Sequence, residues 1–302
     1  MSQHTRRLVR LVSALGLGVG TAAGFYYLKG GRSSEDETKN IARKVFVDKH
    51  THLGKVLASW TTNFEPSVKW DSNWDRRDPQ YMVKPPKHPN DTTEQENYEN
   101  KVKEVTPKAT RHLLFIRHGQ YNLNGTSHDS ERYLTKKGRE QVECTGKRLK
   151  ELGHPYSKII HSNMTRARES AEIIHQHLSD VPIFIDEILQ EGAPVPPEPP
   201  IGSWKSEAEF FRDGARIEAG FRKYFHRADP KQHTDSYEVY VCHANVIRFF
   251  ICRALQLPPE AWLRMSMYNG SVTWFTIRPS GRVSLRYHGD AGHMPPDLLT
   301  TN

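Results

Sequence analysis

A chain of 302 residues can hold one sizeable domain plus appended segments, and a mean hydropathy of −0.72 means that much of it is not core. The formal charge of +8 arises from 43 basic residues interspersed with 35 acidic ones, which argues for a solvated surface and against a nucleic-acid partner. Three cysteines, Cys144, Cys242 and Cys252, lie in apolar-periodic segments without metal-ligand spacing, so they exclude a disulfide framework and read as small core residues in a reducing compartment.

Residues 1–34 read as a targeting and transmembrane segment. Positions 11–28 carry no charge, and at ~1.5 Å per helical residue they reach about the hydrocarbon thickness of a bilayer. Arg6, Arg7 and Arg10 precede this run, Lys29 and Arg32 follow it, and the first acid is Glu35. That pattern fits a mitochondrial signal that also serves as a single-pass anchor. A cleaved secretory signal ending near Thr21-Ala22-Ala23-Gly24 is the alternative. Gly16, Gly20 and Gly24 would fall on one face of the helix and permit close helix contact.

Residues 35–109 read as a linker, with Pro79, Pro85, Pro86 and Pro89 followed by a polar stretch. Within it, residues 69–79 contain Trp70, Asp71, Asn73, Trp74 and Asp75. Two tryptophans four residues apart among charges of both signs suggest a partner surface, or else anchors that pack onto the chain's own domain.

From residue 110 onward apolar runs alternate with helical periodicity. His112-Leu113-Leu114-Phe115-Ile116 predicts a buried strand. A helix is expected from near Thr135, with Val142, Gly146 and Leu149 on one stripe, then a strand at Lys158-Ile159-Ile160. Ala167, Ala171, Ile174 and Leu178 mark a second helix. A strand at Ile183-Phe184-Ile185, a helix over about 206–225, a strand at Val239-Tyr240-Val241-Cys242, a helix over 245–255 and late runs at 272–277 and 283–285 complete the series. This order predicts an α/β domain over 110–302, a mostly parallel sheet with helices on both faces, with ligands binding beyond the carboxyl ends of the strands. His118 and His243 each sit just past such an end, where helix N-termini favour an anion.

The surrounding residues resemble the histidine phosphatase (phosphoglycerate mutase-like) superfamily. The resemblance rests on Arg117-His118-Gly119 with Leu134-Thr135-Lys136-Lys137-Gly138, on His161-Ser162-Asn163-Met164-Thr165-Arg166-Ala167, on Leu189-Gln190-Glu191, and on Val241-Cys242-His243-Ala244-Asn245. It implies a phosphohistidine formed on His118, with Glu191 as proton donor and His243 donating to an equatorial phosphate oxygen. Asn124, six residues after the nucleophile, would add a neutral donor. Arg117 and Arg166 can offer guanidinium forks to a phosphate dianion that would otherwise repel nucleophiles. Arg168 is turned about 200° from Arg166 on a helix and is expected at the surface. Asp186 and Glu187 compete with Glu191 for the role of acid. Neither a metal nor another cofactor is expected.

A narrower resemblance is to the mitochondrial serine/threonine phosphatase branch of that superfamily, whose WDxNWD multimerisation motif resembles residues 70–75. Glu191-Gly192-Ala193-Pro194, Asp213-Gly214-Ala215-Arg216-Ile217-Glu218-Ala219 and Gly289-Asp290 with Met294-Pro295-Pro296 support it. It implies phosphoprotein substrates, homo-oligomers built through the tryptophan motif, and a mitochondrial membrane location, outer rather than inner. Gln120 stands where many superfamily members have Glu, and a proline-rich loop from Ala193 replaces the signature of a glycolytic mutase, so mutase activity is not expected. A non-catalytic phosphoprotein-binding scaffold and a phosphatase of small metabolites remain as alternatives.

Overall fold

The computed structural model describes residues 66–123, 128–202 and 204–301. The expected membrane segment at 11–28 and Asn124 lie outside the described residues. Among the described residues no helix is long and apolar enough to cross a membrane.

Strand β1 (Arg111–Arg117) is buried along its whole length. Its run of four large apolar residues serves both faces at once, because successive side chains point to opposite sides. Leu113 and Phe115 enter one core with Ile217, Phe221, Ile247 and Phe250. Leu114 and Ile116 enter the other with Val142, Leu149, Ala171 and Ile174. Each such side chain contributes roughly 1.5–3 kcal/mol on burial. The expected helices therefore cover both faces of the sheet: α3 (Lys136–Leu152) and α4 (Thr165–His177) on one, α5 (Glu207–Tyr224) and α6 (Ala244–Ala254) on the other.

The remaining strands are β2 (Tyr156–His161), β3 (Ile183–Ile185), β4 (Ser236–Cys242), β5 (Val272–Ile277) and β6 (Val283–Asp290), in the order β3-β2-β4-β1-β5-β6. The pairs β3-β2, β2-β4 and β4-β1 are parallel, while β5 is antiparallel to β1 and β6 to β5. The sheet is thus mixed. Only a short turn separates β5 from β6, with Gly281 at φ 82°, and such a connection can join strands only as a hairpin.

Local chemistry sets the helix ends. Thr135 caps α3 by accepting the Gly138 N–H at 3.0 Å, and Gly153 ends it at φ 61°. Ser206 and Glu209 form a capping box at the start of α5. Helix α4 has no cap of its own. Asp129 supplies one from a distant loop, accepting the Thr165 backbone N–H at 2.7 Å and its hydroxyl at 2.9 Å.

The compact unit runs Trp70–Asn302, so it begins well before the boundary expected at residue 110. The stretch read as linker contains the single turn α1 (Pro79–Met82) and the helix α2 (Thr92–Val105). Helix α2 buries no residue, which is why apolar periodicity did not reveal it; Asp91 caps it at Thr93 N–H, 2.9 Å. The tryptophan segment is fastened to the same unit. The Trp74 indole N–H donates to the Gly281 carbonyl at 2.8 Å and its ring packs near Phe221. The Asp75 carboxylate is fully buried in an ion pair with Arg227, and Asn73 Oδ1 accepts the Asp78 N–H at 3.0 Å. Asp71 exchanges two hydrogen bonds with the Gln256 side chain. Trp70 remains 45% exposed.

Candidate active site

The end of β1 is held on both sides: Arg117 N–H donates to Ser271 O at 3.1 Å and His118 N–H to Cys242 O at 3.0 Å. Just beyond, two glycines let the chain touch the start of α3. A Cβ at Gly119 would lie 2.3 Å from Gly138 O, and one at Gly138 would lie 1.9 Å from Gln120 O. Neither position admits a side chain without moving backbone.

The His118 ring is buried, with Nδ1 2.8 Å from Gly119 O. A carbonyl can only accept, so Nδ1 carries the ring proton and Nε2 keeps its lone pair. Nε2 accepts a hydrogen bond from Arg166 Nε at 3.2 Å. Burial pushes the imidazole pKa well below the usual range, and the charges of Arg166 and Arg117 push it the same way. His118 is therefore a neutral imidazole whose one free nitrogen faces an arginine.

His243 stands at the end of β4 and begins α6. Its ring centroid is 5.2 Å from that of His118. Its Nε2 lies 3.0 Å from Ser162 Oγ, at the end of β2, and its Nδ1 is buried without a partner. Burial lowers its pKa too, helped by Arg166 and His118. Arg166, in the first turn of α4, is positioned by Asp129 Oδ1 at 3.4 Å and by the face of Tyr121, 4.7 Å from its guanidinium carbon. Arg168 pairs with Glu172 on the outside of α4.

Arg117 is tied to two distant backbone carbonyls. Its Nη1 donates to Met267 O at 2.7 Å and its Nη2 to Thr301 O at 2.9 Å, leaving Nε buried and unpartnered. Burial lowers its pKa to about 10, still charged at neutral pH. Arg117 thus brings a buried positive charge to the site.

Glu191 completes the set from the loop after β3. Burial raises its pKa above the usual carboxylate range against the pull of Arg166, Arg117 and Arg248. The loop is clamped from α5, because Arg216 donates to the carbonyls of Ile188 (3.1 Å), Gln190 (2.6 Å) and Glu191 (3.1 Å). Asp213 accepts the Ala193 N–H at 3.1 Å, and Asn245 donates to Gly192 O at 3.2 Å. The competing Asp186 is occupied elsewhere. Burial would raise its pKa, but hydrogen bonds from Lys223 and Tyr224 hold it below the ordinary value.

Arg166 and Glu191 open onto a cavity of about 520 Å³ whose walls also include Arg132, Arg212 and Arg216, while the two histidines are buried next to Arg166 and do not line it. Basic groups dominate it, as a dianion requires. A second cavity of about 500 Å³ lies at the amino end of β1. There Arg111 and Lys158 pair with Glu238, and Lys223 with Asp186, so its charges are already neutralised. Among the described residues no group of three His, Cys, Asp or Glu side chains could hold a metal ion.

The structure thus assembles His118, Arg166, His243 and Glu191, with Arg117 behind them. It adds Ser162, Asp129, Arg216 and Asp213, to which the sequence assigned no role, and Arg248. Ser162 and Arg216 lay within the motifs that carried the resemblance, but the partners that explain them are far away in the chain.

The sequence profile of the histidine phosphatase superfamily (branch 1) matches residues 113–194 and 206–290. The rat (Rattus norvegicus) protein named serine/threonine-protein phosphatase PGAM5, mitochondrial, is 51% identical over 84% of this chain and 87% of its own length. The Homo sapiens protein of that name is 53% identical over 76% of this chain and 80% of its own. A crystal structure of phosphoglycerate mutase from Plasmodium falciparum is 34% identical, covers 63% of this chain and 96% of its own, and superposes with a TM-score of 0.45. The chain belongs to the histidine phosphatase superfamily, in the group that contains the PGAM5 proteins.

Proposed function

We propose that the protein is a serine/threonine protein phosphatase that works through a phosphohistidine on His118. The observation that carries the reading is the neutral, buried imidazole with its lone pair on Nε2 beside His243 and Arg166, the arginine itself lining a cavity that also holds a carboxyl group of raised pKa. The relatives' printed names supply the substrate class.

In the first half-reaction Arg166 Nε–H moves from His118 Nε2 to a phosphate oxygen, and Nε2 attacks phosphorus in line with the ester bond. The N–P bond forms as the P–O ester bond breaks, while Glu191 gives its proton to the departing serine or threonine alkoxide, a poor leaving group otherwise. Arg117, Arg166 and His243 stabilise the equatorial oxygens. In the second half water attacks the phosphorus and Glu191 takes its proton. The electron pair of the N–P bond returns to Nε2, and both groups are restored. No step calls for a metal. Asn124, at the family's position, would add a further donor.

Residues 11–28 are proposed to anchor the protein in a mitochondrial membrane by a single pass, the outer one in our reading; the relatives' names supply the organelle. Assembly through the tryptophan motif is proposed to use the exposed Trp70 face, since Trp74 and Asp75 already hold the motif to its own domain.

Full-length protein in detergent with EDTA should release phosphate from phosphothreonine peptides and yield an acid-labile phosphoenzyme on rapid quenching. His118→Ala should show neither, and turnover by that variant would sink the nucleophile assignment. For assembly, Trp70→Ala should lower the sedimentation coefficient with the fold intact; an unchanged value would remove Trp70 from the interface.

A further inference from the structure

Next to the phosphate cavity lies an apolar groove with Pro194, Val195 and Pro196 on one side and Phe210 and Phe211 of α5 on the other. Lys205 lines both the groove and the cavity, so the two adjoin. Phe211 is 83% exposed, and Ile201 and Trp204 extend the apolar surface. Exposed aromatic and aliphatic side chains clustered beside a functional cavity mark a contact surface.

The groove is rigid on both sides. A Cβ at Gly214 would lie 2.3 Å from Pro194 O, so the proline loop sits directly on the backbone of α5. The buried Trp262 donates its indole N–H to Val195 O at 2.9 Å, and Arg264 donates to Glu198 O at 2.8 Å. On the opposite wall the capping box fixes the first turn of α5, and Lys205 is held to Glu209 at 2.8 Å. Such a preformed site spares a ligand the ordering cost that a mobile loop would impose.

Resting on the protein phosphatase reading, we propose that this groove receives a large apolar side chain of the substrate, close in sequence to the phosphorylated serine or threonine. The occupant is set by the adjoining phosphate cavity. That cavity, about 520 Å³, is roughly 10 Å across, and an extended peptide crosses such a span in about three residues at ~3.3 Å each. A segment whose phosphate lies against Arg166 therefore brings a neighbouring side chain over Phe211. Of the two charged residues on the groove, Lys205 is spent on Glu209 and Glu207 lies at its exposed rim, so five apolar side chains make up the rest of the wall. The Pro194 to Pro196 loop is then a specificity element, and the enzyme selects phosphosites with an apolar residue a few positions away.

The test uses full-length protein in detergent, with phosphothreonine peptides in which Leu is moved from four residues before the phosphothreonine to four after it on an alanine background. p-Nitrophenyl phosphate serves as a substrate too small to reach the groove. Leu at one position should raise kcat/KM at least about tenfold. Phe211→Asp should return that peptide to the alanine level while leaving p-nitrophenyl phosphate turnover unchanged. A flat Leu profile, or a preference that survives Phe211→Asp, overturns the groove assignment and leaves the phosphatase reading standing. Turnover of p-nitrophenyl phosphate with no peptide cleaved overturns both. A drop in sedimentation coefficient for Phe211→Asp with peptide selectivity intact would assign the groove to a second copy of the chain and overturn the proposal.

Discussion

The two halves of the site are built by different means. On the nucleophile side, His118 and His243 stand on the ends of adjacent parallel strands, and backbone hydrogen bonds to Cys242 and Ser271 fix the turn after β1. On the acid side, Glu191 sits on a loop held by side chains reaching from α5 and α6, above all Arg216, Asp213 and Asn245. The nucleophile side inherits its geometry from the sheet, whereas the acid side depends on a few individual polar contacts. The first should tolerate no conservative repair, and the second should be tunable.

His118→Ala tests the rigid side and should have the largest effect, a loss on the order of 10⁴-fold or more in kcat for phosphothreonine and aryl phosphate alike, because no other group can form the covalent intermediate. Glu191→Gln should separate the substrates. Formation of the phosphoenzyme from a phosphothreonine peptide should slow about 10²–10⁴-fold, while its formation from p-nitrophenyl phosphate, whose leaving group needs no proton, should slow much less. Equal losses would mean that Glu191 is not the donor. The same variant should change the pH profile. The Glu191 carboxyl must be protonated to act, and its pKa is raised, so activity falls on the alkaline side as it ionises; glutamine should remove that limb. The acid limb belongs to His118, whose lowered pKa puts it well below 6.5 and should leave it in place.

Arg216→Lys should have a smaller effect and is the sharper test of the contrast. One ammonium cannot reach three carbonyls, so the acid loop loosens, and phosphoenzyme formation from phosphothreonine should slow about tenfold while that from aryl phosphate holds. Parallel losses on both substrates would show that Arg216 supports the whole domain rather than the acid.

The strand-end histidines were legible in the sequence because a four-residue apolar run followed by Arg-His-Gly, and another followed by His243, are local patterns. Helical rotation showed that only one of Arg166 and Arg168 could face the site, and the resemblance chose Arg166. Glu191 was visible only through resemblance, since nothing local distinguishes it from Glu187 or Asp186. Side chains that meet distant backbone left no such trace. Arg117 reaches carbonyls 150 and 184 residues away, and Trp74 reaches one 207 residues away. Such contacts have no period and no spacing. For the same reason the stretch before residue 110 read as linker although the Asp75 carboxylate is buried against Arg227. The mixed character of the sheet lay in the short turn before β6.

The hydrogen bond between His118 Nδ1 and the Gly119 carbonyl settles a question of regiochemistry. An imidazole offers two nitrogens, and phosphorylation at each gives a distinct isomer. With Nδ1 committed to the residue that follows it in the chain, phosphate can be accepted only at Nε2, and the trapped enzyme should carry a single isomer, resolvable by its phosphorus resonance. On the proposed mechanism, one peptide carbonyl, held where a glycine lets the strand end meet the helix, selects which compound the enzyme becomes halfway through its cycle.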